Sequence, residues 1–246
     1  MKGILANFNR EFRAYFFSPI AYIVAALLLV VNGVVFWLIV SFLNDPRAAI
    51  GAPLQLFFGQ TFFFWLVLIF VAAVLTMRLL SEERRSGTIE VLMTSPVTEE
   101  QVVIGKFLAA LAFYIFLWLP TLTYPILLSY YSEVDWGPVA TGYIGILGIG
   151  SLFLALGVLA SALTRSQLIA AVITFAFLVF MIVIGFLENL VTDDSWKQVV
   201  GNLNLMQHMD DFGKGVIDTR WLVYYLSSTV LFLFLAARVL ENKKWR

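Results

Sequence analysis

Cysteine is absent from the 246 residues, and histidine occurs once, as His208. The first absence excludes disulfides, thiol catalysis and cysteine metal sites. The second leaves histidine metal centres and Ser–His hydrolysis with almost no material. Charge is scarce too. Asp, Glu, Lys and Arg make up 13% of the chain, where soluble domains carry about 25%. With 61% hydrophobic residues and a mean hydropathy of +0.90, the composition is that of a membrane protein. The formal net charge of zero gives no bulk attraction to nucleic acid. The opening MKGILANFNREFRAYFF has no small-residue cleavage site after a short apolar core, so it is read as retained.

What is present is a set of long uncharged runs, at 14–44, 48–77, 107–132, 136–164, 166–187 and 221–237. A spanning helix needs roughly 20 apolar residues. The sequence therefore predicts an all-α membrane protein, a single transmembrane domain over 1–246, with spans at 20–43, 54–77, 107–131, 139–163, 167–187 and 221–238. If both termini are cytoplasmic, twelve of the Lys and Arg residues lie inside and four outside: Arg47, Lys197, Lys214 and Arg220. That asymmetry sets the expected orientation.

Residues 1–18 place Ile4, Leu5, Phe8, Phe12, Tyr15 and Phe16 at helical spacing, with Asn9, Arg10 and Arg13 largely off that stripe. This is an amphipathic helix suited to the cytoplasmic interface, ended by Ser18-Pro19. Span two is rich in aromatic residues, among them Phe62 and Trp65, which with Asn32 of span one are candidates for a substrate path. Span three is expected to kink at Pro120 and Pro125. Gly142, Gly145 and Gly148 give span four a thin face for close packing. The tight turn Thr164-Arg165-Ser166 makes spans four and five antiparallel neighbours. The outer loop 188–220 has room for one or two short helices, and its Asp210–Gly215 string reads as a turn-rich connector.

The stretch 78–106 holds nine of the chain's 32 charged residues in 29 positions. Helix is expected to continue past Met77 to Arg85, with Gly87 as a left-handed terminator. Glu82 and Glu83 are expected to pair with Arg78, Arg84 or Arg85. Thr88 is a plausible cap for a short helix carrying Ile89, Val91, Leu92 and Met93, stopped by Ser95-Pro96. Thr98-Glu99-Glu100-Gln101 is a capping box that opens the helix into span three. A short apolar helix bracketed by charge in an inner loop reads as a docking surface.

No span contains a charged residue except Arg238, the last residue of the sixth, which argues against a proton- or ion-coupled carrier. Gly105-Lys106 is followed by Phe107 and has no upstream glycine at phosphate-loop spacing. Glu82-Glu83 begins an EExxxR-like string, but position 87 is Gly87 and partner histidines are missing. Met206, His208 and Met209 are read as packing rather than as a metal site.

Glu83, Gly87, Thr88, Glu90 and Leu92, followed by Thr94-Ser95-Pro96, resemble the E-x-x-x-G-T-x-E-x-L and T-x-P pattern of ABC-2 type ABC transporter permeases. REFRAYFFSPIAYIV at 10–24 is similar to the start of the subgroup containing the bacterial gliding-motility permease subunit. The resemblance covers essentially the whole chain. It implies a non-catalytic permease of the bacterial inner membrane, with both termini cytoplasmic, paired with a second permease in a homo- or heterodimer. It further implies a coupling helix within 78–106 docked on a cytoplasmic ABC ATPase subunit, which binds the ATP and Mg; this chain itself needs no cofactor. Residues 84–96 would touch that ATPase, so Glu83, Arg84, Gly87, Thr88, Glu90, Leu92, Thr94 and Pro96 are the coupling candidates. The expected activity is ATP-driven export. The alternative is a non-transporting anchor or mechanical transmitter, driven by the same ATPase and acting on an outer-face or periplasmic protein.

Overall fold

The computed structural model describes residues 2–43, 56–59, 61–87, 98–131, 133–187 and 201–244. These are helical, with no strand among them. The elements are α1 (Lys2–Phe16), α2 (Pro19–Leu43), α3 (Phe62–Thr76), α4 (Ser81–Arg85), α5 (Glu99–Trp118) and a 3₁₀ turn (Leu119–Leu122). Then come α6 (Thr123–Ser129), α7 (Trp136–Leu163), α8 (Gln167–Leu187), α9 (Leu205–Gly213) and α10 (Thr219–Lys244). Six stretches are long and apolar enough to cross a membrane. The protein is an all-α membrane protein.

Local chemistry sets most boundaries. Ser18 separates α1 from α2, and Pro19 opens α2 at a position where the missing N–H costs nothing. Asp135 caps α7 by accepting from the Gly137 amide, 2.9 Å. Thr98 caps α5 by accepting from the Gln101 amide, 3.3 Å. Pro120 and Pro125 break the C-terminal half of span three into a 3₁₀ turn followed by α6, where the sequence led us to expect a kink.

Two expectations need correction. Span two begins its helix at Phe62 rather than 54, because Gly59 turns with φ +84° and Thr61 is extended. Helix α5 runs unbroken from Glu99 into span three, as the Thr98 capping box led us to expect, and carries Lys106 within it. Asp210–Gly213 is helix rather than turn. Asn204 accepts from the Met206 and Gln207 amides to launch α9, which ends at Gly213, two residues before the left-handed Gly215.

Helix α7 is the centre of the bundle, touching α3, α4, α5, α8, α9 and α10. Its glycines make this possible. A Cβ on Gly142 would meet Phe58, on Gly145 Phe212, on Gly148 Tyr225, on Gly150 Tyr114 and on Gly157 Thr76, each under 3.0 Å. Close approach there is a requirement of the packing. By contrast α2, α8 and α10 turn most of their apolar surface outward.

Candidate functional site

The short helix α4 is the bridge between span two and the loop that leads to α5. After Thr76 the chain leaves α-helix for four residues, Met77–Leu80, and Ser161 of α7 fills the gap. Its Oγ accepts from the Leu80 and Ser81 amides, both at 3.0 Å, and donates to the Met77 carbonyl at 3.2 Å. Backbone groups that a helix break would strand are thereby satisfied inside the bundle. Helix α4 then carries Glu82 and Glu83 in its first turn and Arg84 and Arg85 in its last, each sign matched to the helix dipole. Gly87, at φ +73°, ends it in the conformation glycine adopts without strain.

Around α4 lies a four-charge cluster. Lys106 Nζ sits 2.8 Å from Glu11 Oε1 and 3.0 Å from Glu83 Oε1, while Arg10 Nη2 lies 2.5 Å from Glu83 Oε1 and 3.0 Å from Glu11 Oε1. Two cations thus share two carboxylate oxygens. Burial works to raise the Glu11 carboxyl, but Lys106 and Arg10 outweigh it and hold the group below the usual carboxylate range. Burial likewise works to lower the Arg10 guanidinium, and Glu83 and Glu11 outweigh it and push it up. Lys106 is only 1% exposed, and a buried cation is retained where such partners compensate its lost hydration.

The cluster joins three elements distant in sequence. Arg10 and Glu11 come from α1, Glu83 from α4 just before the loop, and Lys106 from α5 just after it. Helix α1 lies alongside α5, with Gly105 accepting Ile4, Asn7 and Phe8 at contact so close that a Cβ would meet Asn7 at 2.8 Å. Further along, Tyr15 stacks on Phe113 at 4.8 Å and Phe16 meets Phe113 and Phe116 edge-on. The Tyr15 hydroxyl donates to the Leu75 carbonyl at 2.7 Å, and the Arg78 guanidinium lies 4.8 Å from its ring. Arg84 reaches the other way, donating to the Ala162 carbonyl at 2.5 Å at the end of α7.

Of the coupling candidates, Glu83, Arg84 and Gly87 are placed here; Glu83 and Arg84 engage the protein's own body. Thr88, Glu90, Leu92, Thr94 and Pro96 lie outside the described residues, as does the loop segment 188–200. Glu83 pairs with Arg10 of α1 and Lys106 of α5, which the packing of those two helices brings to it, whereas Glu82 is exposed. Arg10, Glu11, Lys106 and Ser161 are the members the sequence did not single out. Lys106 carried a signal, a lone cation in the apolar string Val102–Leu108 downstream of a helix cap.

The substrate-path candidates occupy different environments. Asn32 is buried and donates to the Leu28 carbonyl of its own helix at 2.8 Å. Trp65 is buried and donates to the Gly59 carbonyl at 2.7 Å, whereas Phe62 is exposed. At the end of the bundle away from α4, His208 is fully buried, stacked on Trp221 at 3.7 Å with Nδ1 3.0 Å from the Tyr225 hydroxyl. Burial pulls its pKa down to about 4. No group of three or more metal-binding side chains exists among the described residues.

Set against known proteins, residues 38–245 match the family described as ABC-2 family transporter protein. No curated protein matches the chain.

Proposed function

Because the chain belongs to the ABC-2 transporter family, we propose that it is the permease of an exporter in the bacterial inner membrane, driven by hydrolysis in a separate ATPase subunit. Membership makes it a multi-pass membrane component of an ABC transporter and implies an ABC ATPase as partner. Two such permeases form the transport unit, with termini in the cytoplasm. ATP and Mg reside in the ATPase, and this chain contributes shape and mechanical connection.

The observation that carries the reading is the four-charge cluster. It spans the two ends of the inner loop, Glu83 before and Lys106 after, and ties both to α1. A push on 88–97 therefore reaches α3 through α4, α5 directly, and α7 through Ser161 and Arg84. A solvated tether would lose such a displacement.

Co-expression with the ATPase of the same transport system tests it. Glu90→Lys and Leu92→Asp are expected to abolish permease-stimulated ATP hydrolysis while the permease stays in the membrane. Full stimulation by both variants overturns the coupling role.

A second reading is favoured by one feature. Helix α9 seats Phe212 and Met209 against Gly145, so an outer-face helix moves with the central one. In that reading the protein is a mechanical transmitter acting on an outer-face partner. It gains if the complex in liposomes moves no lipid or polymer and deletion of 196–206 abolishes partner binding.

A further inference from the structure

Between α1 and α5, on the side facing away from the ion cluster, runs an open groove of about 620 Å³ lined by Ile4, Leu5, Phe8, Leu108, Leu111, Ala112 and Ile115. Its volume falls within the range of roughly 300–1,000 Å³ typical of small-molecule sites. Every lining residue is apolar, so it offers no hydrogen bond to a polar ligand. We propose that it holds one acyl chain of a phospholipid from the cytoplasmic leaflet.

Direction is the first argument. Gly105 meets Ile4 and Phe8, Lys106 meets Glu11, and Phe113 and Phe116 meet Phe16. The two helices therefore advance together along span three, and the groove between them follows that span. From Leu108 to Ile115 it extends about 10 Å at the helical rise of 1.5 Å per residue. A groove parallel to a spanning helix lies parallel to lipid chains.

Continuity is the second. Leu5, Leu108 and Ile115 are exposed along its rim, and α5 carries the same apolar exposure beyond it, through Phe116 to Leu119. Hydrocarbon solvates that surface in a bilayer, where water would leave it at a cost of roughly 25 cal/mol per Å².

Charge is the third. Lys2 opens α1 three residues before Leu5, at the helix end whose dipole is positive. A phosphodiester headgroup at this end is complementary, and an acidic peptide would find no donor deeper in the groove.

Native mass spectrometry of the detergent-purified permease, exchanged into phosphatidylglycerol and stripped stepwise, tests the proposal. One retained lipid per permease chain is expected. Ala112→Trp, which fills the groove, is expected to lose it, and Val172→Trp on the exposed face of α8 to keep it. Should Ala112→Trp fail to fold, phosphatidylglycerol with a photoreactive acyl chain serves on the unaltered protein, with adducts expected at 4–8 and 108–115. No retained lipid, equal loss in both variants, or adducts spread evenly over α2, α8 and α10 would overturn the proposal. So would efficient disulfide formation between two permease chains carrying Ala112→Cys, because a second copy would then occupy the groove.

Discussion

Lys106 shows how a single residue can be legible in kind and misplaced in role. A lysine flanked by Gly105 and Phe107 marks, by charge alone, the mouth of a span. Placing it there left the third span without a charge. Only the pairing of α1 with α5 shows that it is 1% exposed and held by Glu11 and Glu83, acids 95 and 23 positions away whose proximity no local pattern encodes. Breaking a buried pair by removing one partner costs about 3–5 kcal/mol, because the remaining charge is stranded. Lys106→Met is thus expected to lower Tm in detergent strongly, and Lys106→Met with Glu83→Gln to recover part of the loss; equal melting of single variant and parent would count against the cluster. Gly157 makes a similar point without charge. A Cβ there would lie 2.1 Å from Thr76 Oγ1, so Gly157→Ala should cost about 1–3 kcal/mol by overpacking α3 against α7, read as a drop in Tm.

Among elements, those governed by near neighbours in sequence were the readable ones. Gly87, the Thr98 cap, the Ser18-Pro19 break and the two prolines of span three act within a turn of themselves, and each is found where expected. Helix α9 was not readable. Asp210-Asp211-Phe212-Gly213 has the composition of a turn, yet tertiary packing of Phe212 and Met209 on Gly145 makes helix the better state. The same packing gives α9 a pH dependence. His208 is held at a pKa of about 4 against an ordinary 6.5, so between those values the unfolded chain binds the extra proton. Stability is therefore full above about pH 6.5 and falls as pH drops toward 4, by about 3 kcal/mol for a shift of this size. His208→Phe should flatten the Tm-against-pH curve over that window; an unchanged slope would assign it to other groups.

At the scale of the whole molecule, hydropathy sufficed for six spans and the all-α class. It was silent about which helix is central, since α7 and α8 are both long and apolar and differ in burial through their neighbours. The absence of cysteine makes topology directly measurable. In intact cells a membrane-impermeant thiol reagent is expected to label Val216→Cys, on the outer side, and to label Asn242→Cys only after lysis. The reverse pattern would invert the orientation and with it the face offered to the ATPase.

The glycine slots of α7 have one more consequence. Each receives an aromatic or hydroxyl side chain from a different neighbour, at separations with no room for a methyl group. A joint that tight has no dead travel, so α3, α5, α9 and α10 must move with α7 as one block. Helix α2 stands apart from that block, attached chiefly through α1 and α3 and with most of its apolar face turned outward.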